Sequence, residues 1–120
     1  MDAIFVEPGG YYRITYAGIR TYASIIALID EMVANAEKTG VYKCLFDLRR
    51  SEEGFSMLDK YNLGIHLAKV FGSRYTVAVL IRREHITGFL ENVSSNRGAV
   101  RFVITDDEGK AQAHLEVPAH

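Results

Sequence analysis

The chain carries one cysteine in 120 residues, no surplus of either charge, and no apolar run longer than a few residues. A single thiol, Cys44, excludes an intrachain disulfide and a cysteine-based zinc cluster. That composition fits a reducing compartment, so the expected location is cytoplasmic. Lys and Arg number 14 against 15 Asp and Glu, a formal net charge of −1. So even a balance removes the basic footprint of a dedicated nucleic-acid binder, and no nucleic-acid partner is expected. The apolar runs fall far short of the roughly 20 residues that span a bilayer. The start, Met1-Asp2-Ala3-Ile4, has neither the basic stretch nor the apolar core of a secretory signal.

Motifs for chemistry are equally scarce. Neither G-x-x-x-x-G-K-[ST] nor G-x-G-x-x-G occurs, nor H-E-x-x-H, nor G-x-S-x-G. Asp59 and His66 are able to share a helix face, but two ligands do not close a metal site. A solvated polar stripe is the simpler reading. No metal, no cofactor and no catalytic residue is expected, and nothing recruits an enzyme.

What is present is an ordinary folded composition, 48% hydrophobic and 24% charged, enough for one domain over residues 1–120. Tyr12, Ile14 and Tyr16 alternate with Tyr11, Arg13 and Thr15, which predicts a strand; Ile4 to Val6 reads as a short strand before it. Tyr22, Ile25, Ile26, Ile29, Val33 and Ala36 follow helical spacing between a Thr21 cap and Gly40. Val41 to Leu48 reads as the next strand, nearly continuous in apolar character from Lys43 on. Ser56 with Asp59 forms a capping-box pattern for a second helix whose stripe is Leu58, Tyr61, Ile65 and Ala68, with Gly72 ending it. Residues 76–81 form the most β-like segment. A third helix is expected over residues 86–96, a strand over 100–104, and a short helix capped by Asp106. The expected fold is α/β, a mostly parallel sheet of 4–5 strands with about four helices and a core over residues 11–117.

Two strands end alike, one in Arg49-Arg50 and the other in Arg82-Arg83. In a parallel sheet both pairs emerge at the carboxyl edge, where open α/β folds bind ligands, and helix N-termini add donors there. A small anionic ligand held by both pairs, such as a phosphate, a nucleotide or a lipid headgroup, is one reading. A solvated rim neutralised by Glu52, Glu53 and Glu84 is the other. Residues 51–56 read as the loop into the second helix. Within it Phe55 is either a contact residue or a staple on the helix start. Ser56 is either a plain cap or a site where phosphate is electrostatically welcome. The tyrosines crowded into the first strand leave open packing within one chain or burial against a second copy.

Leu45-Phe46-Asp47-Leu48-Arg49, then Thr76-Val77-Ala78-Val79-Leu80 with Phe89-Leu90-Glu91-Asn92-Val93, and Asn96-Arg97-Gly98 leading to Arg101-Phe102 and Asp106-Asp107-Glu108, resemble the STAS superfamily. More narrowly they resemble the small bacterial SpoIIAA-like or STAS/SEC14-domain proteins. The resemblance implies a STAS-like single domain with a non-catalytic regulatory or protein-binding role. By position, Ser56 matches the serine that is phosphorylated in the antagonist members of the superfamily. The docking face is then expected at the sheet edge, Ser51, Phe55, Ser56 and the start of the second helix, with another protein or a homodimer as partner.

Overall fold

Gly10 makes the first corner of the chain. Its φ of 71° lies in the left-handed region that favours glycine, and its N–H donates to the Val6 carbonyl at 2.8 Å. The turn folds β1 (Ile4–Val6) antiparallel onto β2 (Tyr11–Arg20), pairing Ile4 with Arg13 and Val6 with Tyr11. The computed structural model describes residues 3–7, 9–86 and 101–116. Beyond the hairpin it continues through α1 (Tyr22–Thr39), β3 (Lys43–Glu53), α2 (Met57–Phe71), β4 (Thr76–Leu80), a single 3-10 turn (Arg83–His85), β5 (Phe102–Thr105) and α3 (Glu108–Glu116).

Among the described residues five strands lie in sequence order, and β2 through β5 are parallel. Each crossover steps one strand in the same direction, so a common hand puts α1 and α2 on the same face. Leu28 and Ile29 of α1 and Leu63 and Leu67 of α2 meet Ile14, Phe46 and Val77 there. On the opposite face Ala111 and Leu115 of α3 cover Leu45, Ala78 and Leu80. Strand β3 runs between β2 and β4 and is covered on both faces, which is why its apolar run is nearly unbroken: Cys44, Phe46 and Leu48 face one layer and Leu45 the other. Cys44 is buried, and burial pushes its thiol well above the ordinary value, so it packs as a small apolar side chain.

The caps read from sequence hold at both long helices. Thr21 and Ser24 exchange hydrogen bonds as a capping box, as do Ser56 and Asp59, and Gly40 ends α1 at φ 76°. Four details differ from expectation. Strand β3 runs past Leu48 to Glu53, because its tail pairs with Ala17 to Arg20 of a β2 that is itself longer than expected. The cap of α3 is Asp107, whose carboxylate accepts from the Lys110 N–H at 3.1 Å; Asp106 instead pairs with Arg83. The inward face of α2 is Leu63, Leu67 and Phe71, while Leu58 and Tyr61 of the expected stripe face out. Three α-helices occur among the described residues, and the helix expected over residues 86–96 falls, Ile86 excepted, outside them.

Candidate functional site

The carboxyl ends of β2, β3 and β4 bring Arg20, Arg49–Glu53 and the turn at Arg83–His85 to one rim, together with the start of α2. The four arginines expected to share an anion do not converge on that rim. Arg49 follows the strand alternation onto the α3 face. There its Nε and Nη2 donate to the two Asp47 oxygens at 2.9 and 2.8 Å, beside Arg13 at 2.6 Å from Asp47 Oδ2. Glu108 of α3 closes the group at 3.3 Å from Arg13 and 3.1 Å from Arg49, giving two cations on two carboxylates. Hydrogen bonding from Arg49 holds the Asp47 carboxyl down at about 2, against an opposing push from burial. Arg50 is exposed beside this group. Arg82 pairs with Glu52 at 2.8 Å and the mostly exposed Arg83 with Asp106 at 3.0 Å. Of the carboxylates expected to neutralise these arginines, Glu53 turns the other way, to Lys60 of α2 at 2.8 Å.

Ser51 is a correction. It is fully buried in β3, so it offers nothing to a docking partner. The register between β2 and β3 shifts once, between Thr15 and Ala17, where β3 carries one residue more. That bulge turns Ser51 inward. Its Oγ accepts from Arg20 Nη1 at 2.6 Å and donates to the Leu48 carbonyl. The connecting loop shrinks to residues 54–56. Phe55 is half-buried and packs on the main core, while Ser56 is exposed at the head of α2.

Around that short loop lie three large apolar side chains: Leu58, expected in the inward stripe of α2, and Ile19 and Met57, which the sequence reading did not single out. Ile19, Met57 and Leu58 are 61%, 64% and 67% exposed. A methyl group added at Gly54 would come within 2.6 Å of Ile19 Cγ2, so Ile19 lies directly against the loop that leads into Met57 and Leu58. The only sequence signal for Ile19 was its place in an unfinished alternation after Tyr16.

Behind the loop, between the sheet and helices α1 and α2, is a cavity of about 90 Å³. Among the described residues its walls are apolar, with Leu28, Phe46, Leu63, Val79 and Phe102 among them, and its polar residues are Arg20, Glu53, Lys60 and His85. Arg20 is only 4% exposed. Burial lowers its affinity for a proton, with Glu53 acting in the opposite sense. Its guanidinium bonds the Ser51 carbonyl at 3.3 Å and lies 3.2 Å from His85 Nδ1. The other ring nitrogen of His85 lies 3.4 Å from Arg82 Nη2. Among the described residues no group of three or more His, Cys, Asp or Glu side chains is placed to hold a metal ion, and no helix is long and apolar enough to cross a membrane. Comparison of the chain with protein-family models, curated proteins and solved structures gives no match.

Proposed function

We propose that this protein is a non-catalytic, STAS-like docking module that works by holding another protein against the carboxyl edge of its sheet. The supporting observation is the cluster of Ile19, Met57 and Leu58, each more than half exposed, around a three-residue loop. Apolar side chains gathered at a rim mark contact surfaces more often than singly scattered ones do. The capping box of Ser56 and Asp59 holds the start of α2 in one conformation, which lowers the ordering cost of binding. A phosphate on the exposed Ser56 Oγ would sit at a helix N-terminus, where the dipole favours it, and would put charge in the middle of an apolar contact. Phosphorylation would therefore release a partner held by apolar packing.

The ion pairs on Arg49, Arg82 and Arg83 weigh against the alternative of an anion shared by the arginine pairs. Docking is tested with Met57→Glu/Leu58→Glu and with Ser56→Asp, all at exposed helix-start positions where stability should move by less than about 0.5 kcal/mol. Proteins retained on the immobilised chain from its own host's extract, quantified by mass spectrometry, should fall at least tenfold with either variant. Equal recovery on wild type and both variants would remove this face from consideration.

A further inference from the structure

We propose that the cavity between the sheet and helices α1 and α2 is a binding site for a small monocarboxylate with an apolar tail, its carboxylate seated on Arg20. The inference rests on different residues from the docking face and does not depend on it.

Arg20 carries the argument. A guanidinium this buried is normally met by a carboxylate, because an unpaired charge taken out of water is costly. Among the described residues no carboxylate lies within ion-pair distance of Arg20; its bonds go to Ser51 and to the His85 ring. Glu53, its register partner on β3, is already occupied by Lys60. His85 stands between two guanidiniums, 3.2 Å from Arg20 and 3.4 Å from Arg82. A neutral imidazole accepts at one nitrogen only; with Nδ1 accepting from Arg20, Arg82 Nη2 is met by Glu52 Oε2 at 2.8 Å and the Ser51 carbonyl at 3.4 Å. Next to His85, Arg82 Nε is buried with no partner. What the buried Arg20 lacks among the described residues is an anionic partner.

Shape and charge select its kind. Among the described residues two cations, Arg20 and Lys60, and one carboxylate, Glu53, line the cavity, while the rest of the described wall other than His85 is apolar. These four residues belong to the ends of β2 and β3, the first turn of α2 and the 3-10 turn, so the polar end is the carboxyl edge and the apolar part runs back under the helices. A volume of about 90 Å³ holds about six water-sized particles. A nucleotide is too large and a phosphate ester too polar for such walls, whereas a carboxylate suits the planar fork of a guanidinium. Hexanoate has the matching size and one charge.

The test is a methyl and amide NMR titration of the whole chain with hexanoate, acetate and 1-hexanol. Hexanoate should bind at least tenfold more tightly than either control, because acetate lacks the tail and hexanol the charge. Its shift changes should centre on Leu28, Leu63, Val79 and Arg20. Hexanol binding as well as hexanoate, or shift changes spread over the surface, would overturn the proposal. Arg20→Met should remove the preference for acid over alcohol. If that variant does not fold, Arg20→Lys keeps the charge, loses the fork and should cut the preference at least threefold. An unchanged preference in either variant would also overturn it.

Discussion

Leu115→Ala should lower stability by about 3 kcal/mol in urea denaturation, a large part of what a domain of this size has to lose. Leu115 and Ala111 are the only residues of α3 in the core, and Leu115 has no exposed surface. A helix of nine residues containing Gly109 does not hold itself together in water; packing holds it. Truncation opens a void against Leu45, Ala78 and Leu80. It also loosens the anchorage of Glu108, which closes the ion-pair group with Arg13 and Arg49. The comparison variant is Leu58→Ala, whose side chain faces solvent and whose loss should cost under about 0.5 kcal/mol. A loss below about 1 kcal/mol for Leu115→Ala would mean that α3 is not seated on the sheet as described.

Asp47→Asn should cost about 2 kcal/mol near neutral pH. Removing one partner of a buried ion pair costs about 3–5 kcal/mol, and the figure is reduced here because Arg49 is 41% exposed and solvent screens it. The pH dependence has a definite sign. The folded carboxyl sits at about 2, below the roughly 3.9 of an unfolded aspartate. Below about pH 4 the unfolded chain takes up a proton that the folded chain refuses, so the contribution of Asp47 is complete above that value and is lost as pH falls toward about 2. Wild type and Asp47→Asn should therefore differ fully at neutral pH and converge in acid. Denaturation curves at about pH 7, 4 and 2.5 measure this. A gap that stays constant into acid would show that the loss arises from packing and not from charge.

How far the sequence could be read follows from how local each signal is. The helices α1 and α2 were legible to within a residue because Thr21, Gly40, Ser56 and Gly72 mark their ends through contacts three or four residues away. The core of β3 was legible because a strand covered on both faces has to be apolar. Its last turn of chain was not. Arg49-Arg50-Ser51-Glu52-Glu53 has the composition of a loop, and only pairing with β2, some 30 residues earlier, makes it a strand. Arg20 escaped notice for the same reason: it reads as a charged strand end, and its burial depends on Ser51 and His85, 31 and 65 residues away. In α2 two apolar stripes overlap. Leu63, Leu67 and Phe71 reach the core, so Leu58 and Tyr61 are turned outward, and an expected packing residue becomes part of the candidate docking face.

Docking at that face is most directly examined by placing a photo-activated benzoyl-phenylalanine at position 58 in living cells of the host, with a second at position 38 near the far end of α1. Leu58 and Lys38 are both exposed, so only the presence of a partner distinguishes them. Irradiation should yield discrete higher-mass adducts from position 58 and none from position 38, and Ser56→Asp should weaken those adducts. Absence of adducts at position 58, or the same adducts from both positions, would contradict a docking role for the carboxyl edge.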